Sequence, residues 1–135
     1  EALEDGRDVE LQTKRPWHIH RCFGPFAFFD IDGQETQPVG SGSWINVDEV
    51  EFVLVLYRHM VARFPQLKGG PHVAVISPYK QQVKLFRERF KEVVGVENAR
   101  LIDTNTVDGF QVNIRFVLCY TVFSGLFLDG SLNFK

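Results

Sequence analysis

The sequence predicts an α/β protein built on a doubly wound, mainly parallel sheet, and three observations carry that expectation. His72-Val73-Ala74-Val75-Ile76 is a continuous, β-branched run of the kind that forms a parallel strand covered on both faces. Two stretches with helical apolar spacing, about 47–64 and 80–94, stand on either side of it. Polar, turn-forming residues follow directly on two strand candidates, at Ser77-Pro78-Tyr79 and at Asn105 to Gln111. Strand, helix, strand, helix, strand is the rhythm of right-handed crossovers, and such sheets gather ligands at the carboxyl ends of their strands.

The elements follow in order. Glu1 to Trp17 is polar, with an Asp5-Gly6 turn and Lys14-Arg15-Pro16 closing any regular element, so it reads as a surface connector. His18 and His20 alternate as if on one side of a strand, but no third ligand stands at a metal-binding spacing. Phe26 to Ile31 is an aromatic strand bounded by Gly24-Pro25 and Asp32-Gly33, and Gln34 to Ser43 is a Gly/Ser/Pro loop. Asn46 is placed to cap the first helix, with Glu49 three residues on as in a capping box. Val50, Val53, Leu54, Tyr57, Val61 and Phe64 supply its inward face, and Pro65 ends it. In the second helix Val83, Phe86 and Phe90 point inward, and Gly95 closes it. The apolar segment Ala99 to Asp103 reads as the next buried strand, which is expected to run over Leu101 to Thr104.

Composition narrows the class. A chain of 135 residues has room for one domain with one core, and 44% hydrophobic residues with 13 Phe is a globular composition. A net charge of −2 gives no global attraction for nucleic acid, so any such contact must come from a local basic face. Lys80, Lys84, Arg87, Arg89 and Lys91 make one helix locally basic, but Glu88 and Glu92 alternate with them at ion-pair spacing, which favours a solvated face. Cys22 and Cys119 have no C-x-x-C partner, as expected in a reducing compartment. The apolar run Phe116 to Leu128 is broken by Thr121, Ser124 and Gly125, and falls short of the roughly 20 residues that span a bilayer. With no signal-peptide pattern after Glu1, the chain is expected to be an internal piece of a soluble intracellular protein.

Three segments together resemble one family. Asn105-Thr106-Val107-Asp108-Gly109-Phe110-Gln111 is similar to the fifth motif of senataxin-like superfamily 1 helicases. Ser77-Pro78-Tyr79-Lys80-x-Gln82 resembles their motif IV, and Ser43-x-x-Asn46-x-x-Glu49-Val50 resembles the family's helix start. Leu3-Glu4-Asp5-Gly6 fits an L-x-D-G segment that follows an earlier motif. The resemblance covers residues 1–111. It implies the second of two RecA-like domains, incomplete at its C-terminus, with ATP and Mg²⁺ in a cleft against a first RecA-like domain in cis. Single-stranded RNA or DNA would cross the top, in a protein of the nucleus or cytoplasm, the nucleus favoured, with no membrane role. The same resemblance places Ser77, Tyr79, Thr106 and Asp108 along the nucleic-acid path. Gln111 begins the link to the nucleotide cleft. Hydroxyls and turn amides suit phosphate oxygens without reading bases.

The sequence holds neither a G-x-x-x-x-G-K-[ST] loop nor paired metal carboxylates nor the family's motif VI arginine, so these 135 residues alone are expected to be catalytically silent. A rival from another class is a haloacid-dehalogenase-like phosphatase. Phe29-Asp30-Ile31-Asp32-Gly33 resembles its D-x-D-G motif, and Val75-Ile76-Ser77 its second motif. Asp30 would be the nucleophile and Asp32 the acid/base, with Mg²⁺ between them. Gln34 stands at that motif's usual Thr, and no later acidic pair follows. A non-enzymatic nucleic-acid-binding module is the third reading. Residues 112–135 depart from the family pattern at Val112-Asn113, where Gly-Arg/Gln-Glu-Lys-Asp is the norm. The codons of Gln111-Val112-Asn113 can read CAG-GTA-AAY, the form of an exon end joined to an intron, so the tail is expected to be read-through of a retained intron, or a gene-model error, rather than a selected element. A divergent strand is the competing account, because Ile114 to Phe123 is apolar and β-prone.

Overall fold

The computed structural model describes residues 26–68, 73–109, 117–122 and 125–129. Strand β1 (Phe26–Phe29) is followed by a two-stranded ribbon, β2 (Glu35–Thr36) against β3 (Ile45–Asn46). Helix α1 (Val47–Arg63) then leads through a 3₁₀ turn (Pro65–Leu67) to strand β4 (Val73–Ser77). Helix α2 (Lys80–Val94), the short helix α3 (Val96–Ala99) and strand β5 (Asp103–Thr106) complete the central unit. Strands β6 (Val117–Val122) and β7 (Gly125–Asp129) lie within the tail.

The main sheet has the order β1-β7-β6-β4-β5. Strand β4 pairs in parallel with β5 on one side and β6 on the other, while β7 runs antiparallel to both β6 and β1. Four strands therefore share one direction and only β7 opposes them. The steps from β1 to β4 and from β4 to β5 go the same way along the sheet. Right-handed crossovers then place α1 and α2 on one face, and among the described residues both helices do share the core with Val73 and Val75. The chain next returns across β4 to reach β6, so the winding reverses at β4.

The core reads as the apolar spacing requires. Val50, Val53, Leu54, Tyr57 and Met60 of α1 meet Val83, Phe86 and Phe90 of α2 over Val73, Val75 and Ile102. Tyr57 meets Phe90 edge-on at 5.5 Å, and Phe86 lies nearly parallel to Phe90 at 6.3 Å. Val61 and Phe64 are only half-buried, and Met60 takes the last inward position of α1. Ala74 and Ile76, on the opposite face of β4, are buried as well, which makes β4 the covered central strand its sequence announced.

One boundary differs. The last strand of the central unit starts at Asp103, not within Ala99 to Leu101, because α3 intervenes. Gly95, at φ 85°, ends α2 with its N–H on the Lys91 carbonyl, and the chain turns once more before the N–H of Ile102 reaches the carbonyl of Ala99. Leu101 is consequently at the surface.

On the outer side, Arg89 of α2 bonds Glu51 of α1 through both Nε (2.6 Å) and Nη2 (3.1 Å), and also binds Glu92. The Arg89 hydrogen bond holds the Glu51 carboxyl below its ordinary 4.5. A carboxylate depressed in the folded state stabilises above its unfolded pKa, and that contribution fades as pH falls through the lowered value. Thermal melts should therefore show a small loss of Tm below about pH 4.5 that Arg89→Met removes. Phe86→Ala, at a fully buried site, should lower the unfolding free energy by about 3–5 kcal/mol in urea titrations.

Candidate nucleic-acid interface

The site is built from two strand ends and two helix starts. In the parallel register of β4 and β5, Ser77 stands opposite Thr106. The turn Ser77-Pro78-Tyr79 and the loop beginning at Asn105 therefore leave the sheet side by side on its carboxyl rim. The strand order reverses between β4 and β6, so this rim adjoins the place where such a sheet can open a crevice.

Each segment is stiffened from within. The Ser77 hydroxyl is 1% exposed and accepts a bond from the Tyr79 N–H at 3.3 Å. It shapes the turn from below. In the neighbouring loop Thr106 Oγ1 accepts from the Gly109 N–H (3.2 Å), and the Asn105 amide donates to the Gly109 carbonyl (2.8 Å). Asn105 Oδ1 in turn accepts from the Thr106 N–H at 2.9 Å. A Cβ at Gly109 would stand 2.6 Å from Asn105 Oδ1, so a side chain here would push the Asn105 amide out of this closure. Asp108 and Val107 are exposed at its tip, and Tyr79 and Thr106 are half-buried beside it.

Below the rim, three residues spaced by three clasp the start of α2, Ser43 and Glu49 through their side chains and Asn46 through its backbone. Ser43 Oγ accepts from the Gln81 N–H at 3.2 Å. Gln82 accepts from the Asn46 N–H (2.9 Å) and donates to the Asn46 carbonyl (3.1 Å) and to Glu49 (3.4 Å). Asn46 also caps α1 by accepting from the Glu49 N–H at 3.2 Å. The capping box is thus half realised. Glu49 does not return a bond to the Asn46 N–H, because the distant Gln82 holds it.

The structure brings together four of the five residues singled out on the sequence: Ser77, Tyr79, Thr106 and Asp108 share one rim, and Gln111 lies outside the described residues. Gln82, a buried residue that the sequence reading leaves without a role, announces itself only as a Gln adjoining Val83 on a face otherwise filled by Phe86 and Phe90. Asp30 and Asp32 are both exposed, and Gly33 packs under Asn46 and Asp48 at the start of α1. Among the described residues no three His, Cys, Asp or Glu side chains are grouped to hold a metal ion. No described helix is long and apolar enough to cross a membrane.

These features define an α/β domain with a mainly parallel sheet and two polar turns side by side on its carboxyl rim. Comparison with known proteins makes the class specific. The AAA domain family matches residues 1–124. The chain is 57% identical over 112 residues to "Probable helicase MAGATAMA 3" of Arabidopsis thaliana, covering 82% of this chain and 14% of that protein. It is 32% identical over 119 residues to "Helicase sen1" of Schizosaccharomyces pombe and 32% over 111 residues to "Helicase SEN1" of Saccharomyces cerevisiae. Those matches cover 88% and 81% of this chain, but only 7% and 5% of the relatives. The chain belongs to the AAA domain family, among the senataxin-like helicases.

Two substitutions test the geometry. Gln82→Leu keeps the volume but leaves the buried Asn46 N–H without its acceptor, and should cost about 1–3 kcal/mol in chemical denaturation. Gly109→Ala should leave global stability nearly unchanged while hydrogen exchange at the Thr106 and Gly109 amides speeds up roughly 2- to 10-fold.

Proposed function

We propose that this chain forms most of a second RecA-like domain in a superfamily 1, ATP-dependent RNA/DNA helicase, and that its rim carries half of a single-stranded nucleic-acid track. The parallel register of Ser77 with Thr106 is the observation that supports this most directly, since it sets two rigid polar turns side by side at one sheet edge. Tyr79, Thr106 and Asp108 face the strand in this reading. The enclosed Ser77 hydroxyl sets the pitch of the turn that presents Tyr79. The turns offer amides and hydroxyls, which suit a phosphodiester backbone of any sequence.

The residues present do not by themselves fit a nucleotide with its metal. The sequence has no phosphate-binding G-x-x-x-x-G-K-[ST] loop, and the described residues hold no acidic cluster. In this reading a first RecA-like domain in cis holds ATP and Mg²⁺, Gln111 begins the coupling toward it, and the whole protein works in the nucleus. Residues 1–111 form the domain proper, with 112–135 as an appended, read-through segment.

The 135-residue chain is tested against a fluorescent single-stranded oligonucleotide at low salt, with ATP hydrolysis and phosphomonoester cleavage assayed in parallel. The expected result is weak, salt-sensitive binding reduced by Tyr79→Ala and by Thr106→Ala, without turnover of either substrate. Phosphomonoester cleavage abolished by Asp30→Asn would overturn the proposal in favour of a phosphatase.

A further inference from the structure

The basic face of α2 is divided by the structure into parts with different duties. Arg89 is committed to Glu51 and Glu92. Lys80 and Lys84 are exposed, with Lys84 on the side of α2 that faces Ile45 and Pro38. Arg87 and Lys91, four residues apart and so on one face, turn instead toward the outer edge of β5. There they line a groove of about 430 Å³, together with Arg100, Leu101 and Asp103, that ends at Asn105. Asn105 is also the residue that closes the rim loop. The groove and the candidate track are therefore continuous.

Charge and edge chemistry decide what the groove fits. Three cations stand against Asp103, and Arg100 reaches Glu97 only at 3.8 Å, with both side chains largely in solvent. Arg87 is held in place by donating twice to the Thr104 carbonyl, at 3.1 and 2.7 Å, which fixes a positive charge at the groove wall. The same bonds speak against a peptide strand adding to β5. Three of its outward polar groups are already engaged: the Ile102 N–H by Ala99, the Thr104 carbonyl by Arg87, and the Thr106 N–H by Asn105. An edge with Arg87 laid across its middle carbonyl and its flank positive suits a partner recognised by charge.

We infer that the Arg87–Lys91–Arg100 groove is a second phosphate-binding subsite, which takes the backbone of a single-stranded nucleic acid after it has crossed the Asn105–Gly109 loop. This deepens the helicase reading and rests on it. The subsite tracks phosphates without reading bases, since Phe90 at its floor is buried and offers no face for stacking. It lengthens the strand footprint from the rim down the side of the sheet.

Lys91→Gln/Arg100→Gln is compared with the unaltered chain and with Lys84→Gln, using oligothymidylates of increasing length titrated between 50 and 200 mM salt. Arg87 is left in place because it holds β5. Two lost phosphate contacts should flatten the slope of log K against log salt by about 1.4, at roughly 0.7 per contact for a single strand. Over that fourfold range of salt the affinity loss then shrinks by roughly 7-fold. The change should appear only with the longer oligonucleotides, and Lys84→Gln should leave the slope unaltered. If Tyr79→Ala and Thr106→Ala weaken binding while the double variant keeps the full slope at every length, the subsite is overturned and the helicase reading stands. If the unaltered chain binds no single strand, both fall. A double variant that loses an acidic peptide but keeps the oligonucleotide would assign the groove to protein and overturn the inference.

Discussion

The fold depends on one buried amide. Gln82 is 2% exposed and spends its side chain on the backbone of Asn46, accepting from its N–H and donating to its carbonyl. This is the two-bond pairing that a neighbouring strand would make, supplied by a residue 36 positions away in sequence. A paired amide in a core is nearly neutral for stability, whereas the same amide unpaired costs about 1–3 kcal/mol. The clasp is therefore weak as glue and strong as a register device. Any shift of α1 along α2 breaks both bonds together, and the apolar contacts of Val50, Val53 and Phe86 alone would tolerate such a shift.

What the clasp positions is the rim. The start of α1 is tied to β3, and the start of α2 follows directly on the Ser77-Pro78-Tyr79 turn. Locking the two starts together through Ser43, Asn46 and Gln82 leaves that turn no freedom to tilt against the sheet. The loop after β5 is steadied differently, by its own Asn105–Gly109 closure and by Arg87, which ties β5 back to α2. One turn is thus fixed from the helix side and the other from its own side chains. Their separation is set by the β4–β5 register, the one distance in the site that backbone pairing alone determines.

The parts legible in the sequence are those fixed by short-range chemistry. Asn46 as cap, Gly95 as helix terminator and the inward residues of both helices except Val61 and Phe64 follow from local sequence and periodicity, and the structure carries each of these. The candidate rim was legible because turn residues and strand ends are adjacent in sequence, as at Ser77-Pro78-Tyr79. Long-range partnerships were not legible. Glu49 three residues after Asn46 looks like a closed capping box, and nothing local reveals that Gln82 takes over half of it. The displaced start of β5 has the same origin: Leu101 and Ile102 are apolar enough for a strand, yet the turn set by Gly95 leaves Leu101 outside and only Ile102 in the core. A hydroxyl such as Ser77 is equally ambiguous, since composition cannot distinguish one that meets a ligand from one that holds up the next amide.

The tail poses the sharpest question about how much a paired strand means. The AAA domain family match runs to residue 124, past Gln111 and through β6, and β6 lies in parallel against β4. Yet β4 is a buried strand whose side away from β5 needs a hydrogen-bonding partner, since backbone groups left unpaired in a core are costly. An apolar, β-branched segment separated from β5 by ten residues has a high effective concentration at that open side, where it pairs with β4 in the parallel sense. Pairing at this position follows from the vacancy and from β propensity, so it is compatible with a selected strand and with translated non-coding sequence alike. The two accounts diverge at β7. A doubly wound sheet has no need of an antiparallel strand between β6 and β1, and β7 occupies that place, paired along all five residues with β6 and along four with β1. The insertion of β7 separates β1 from β6, two strands that run in the same direction, and this is the one feature of the sheet that the winding of the rest does not call for.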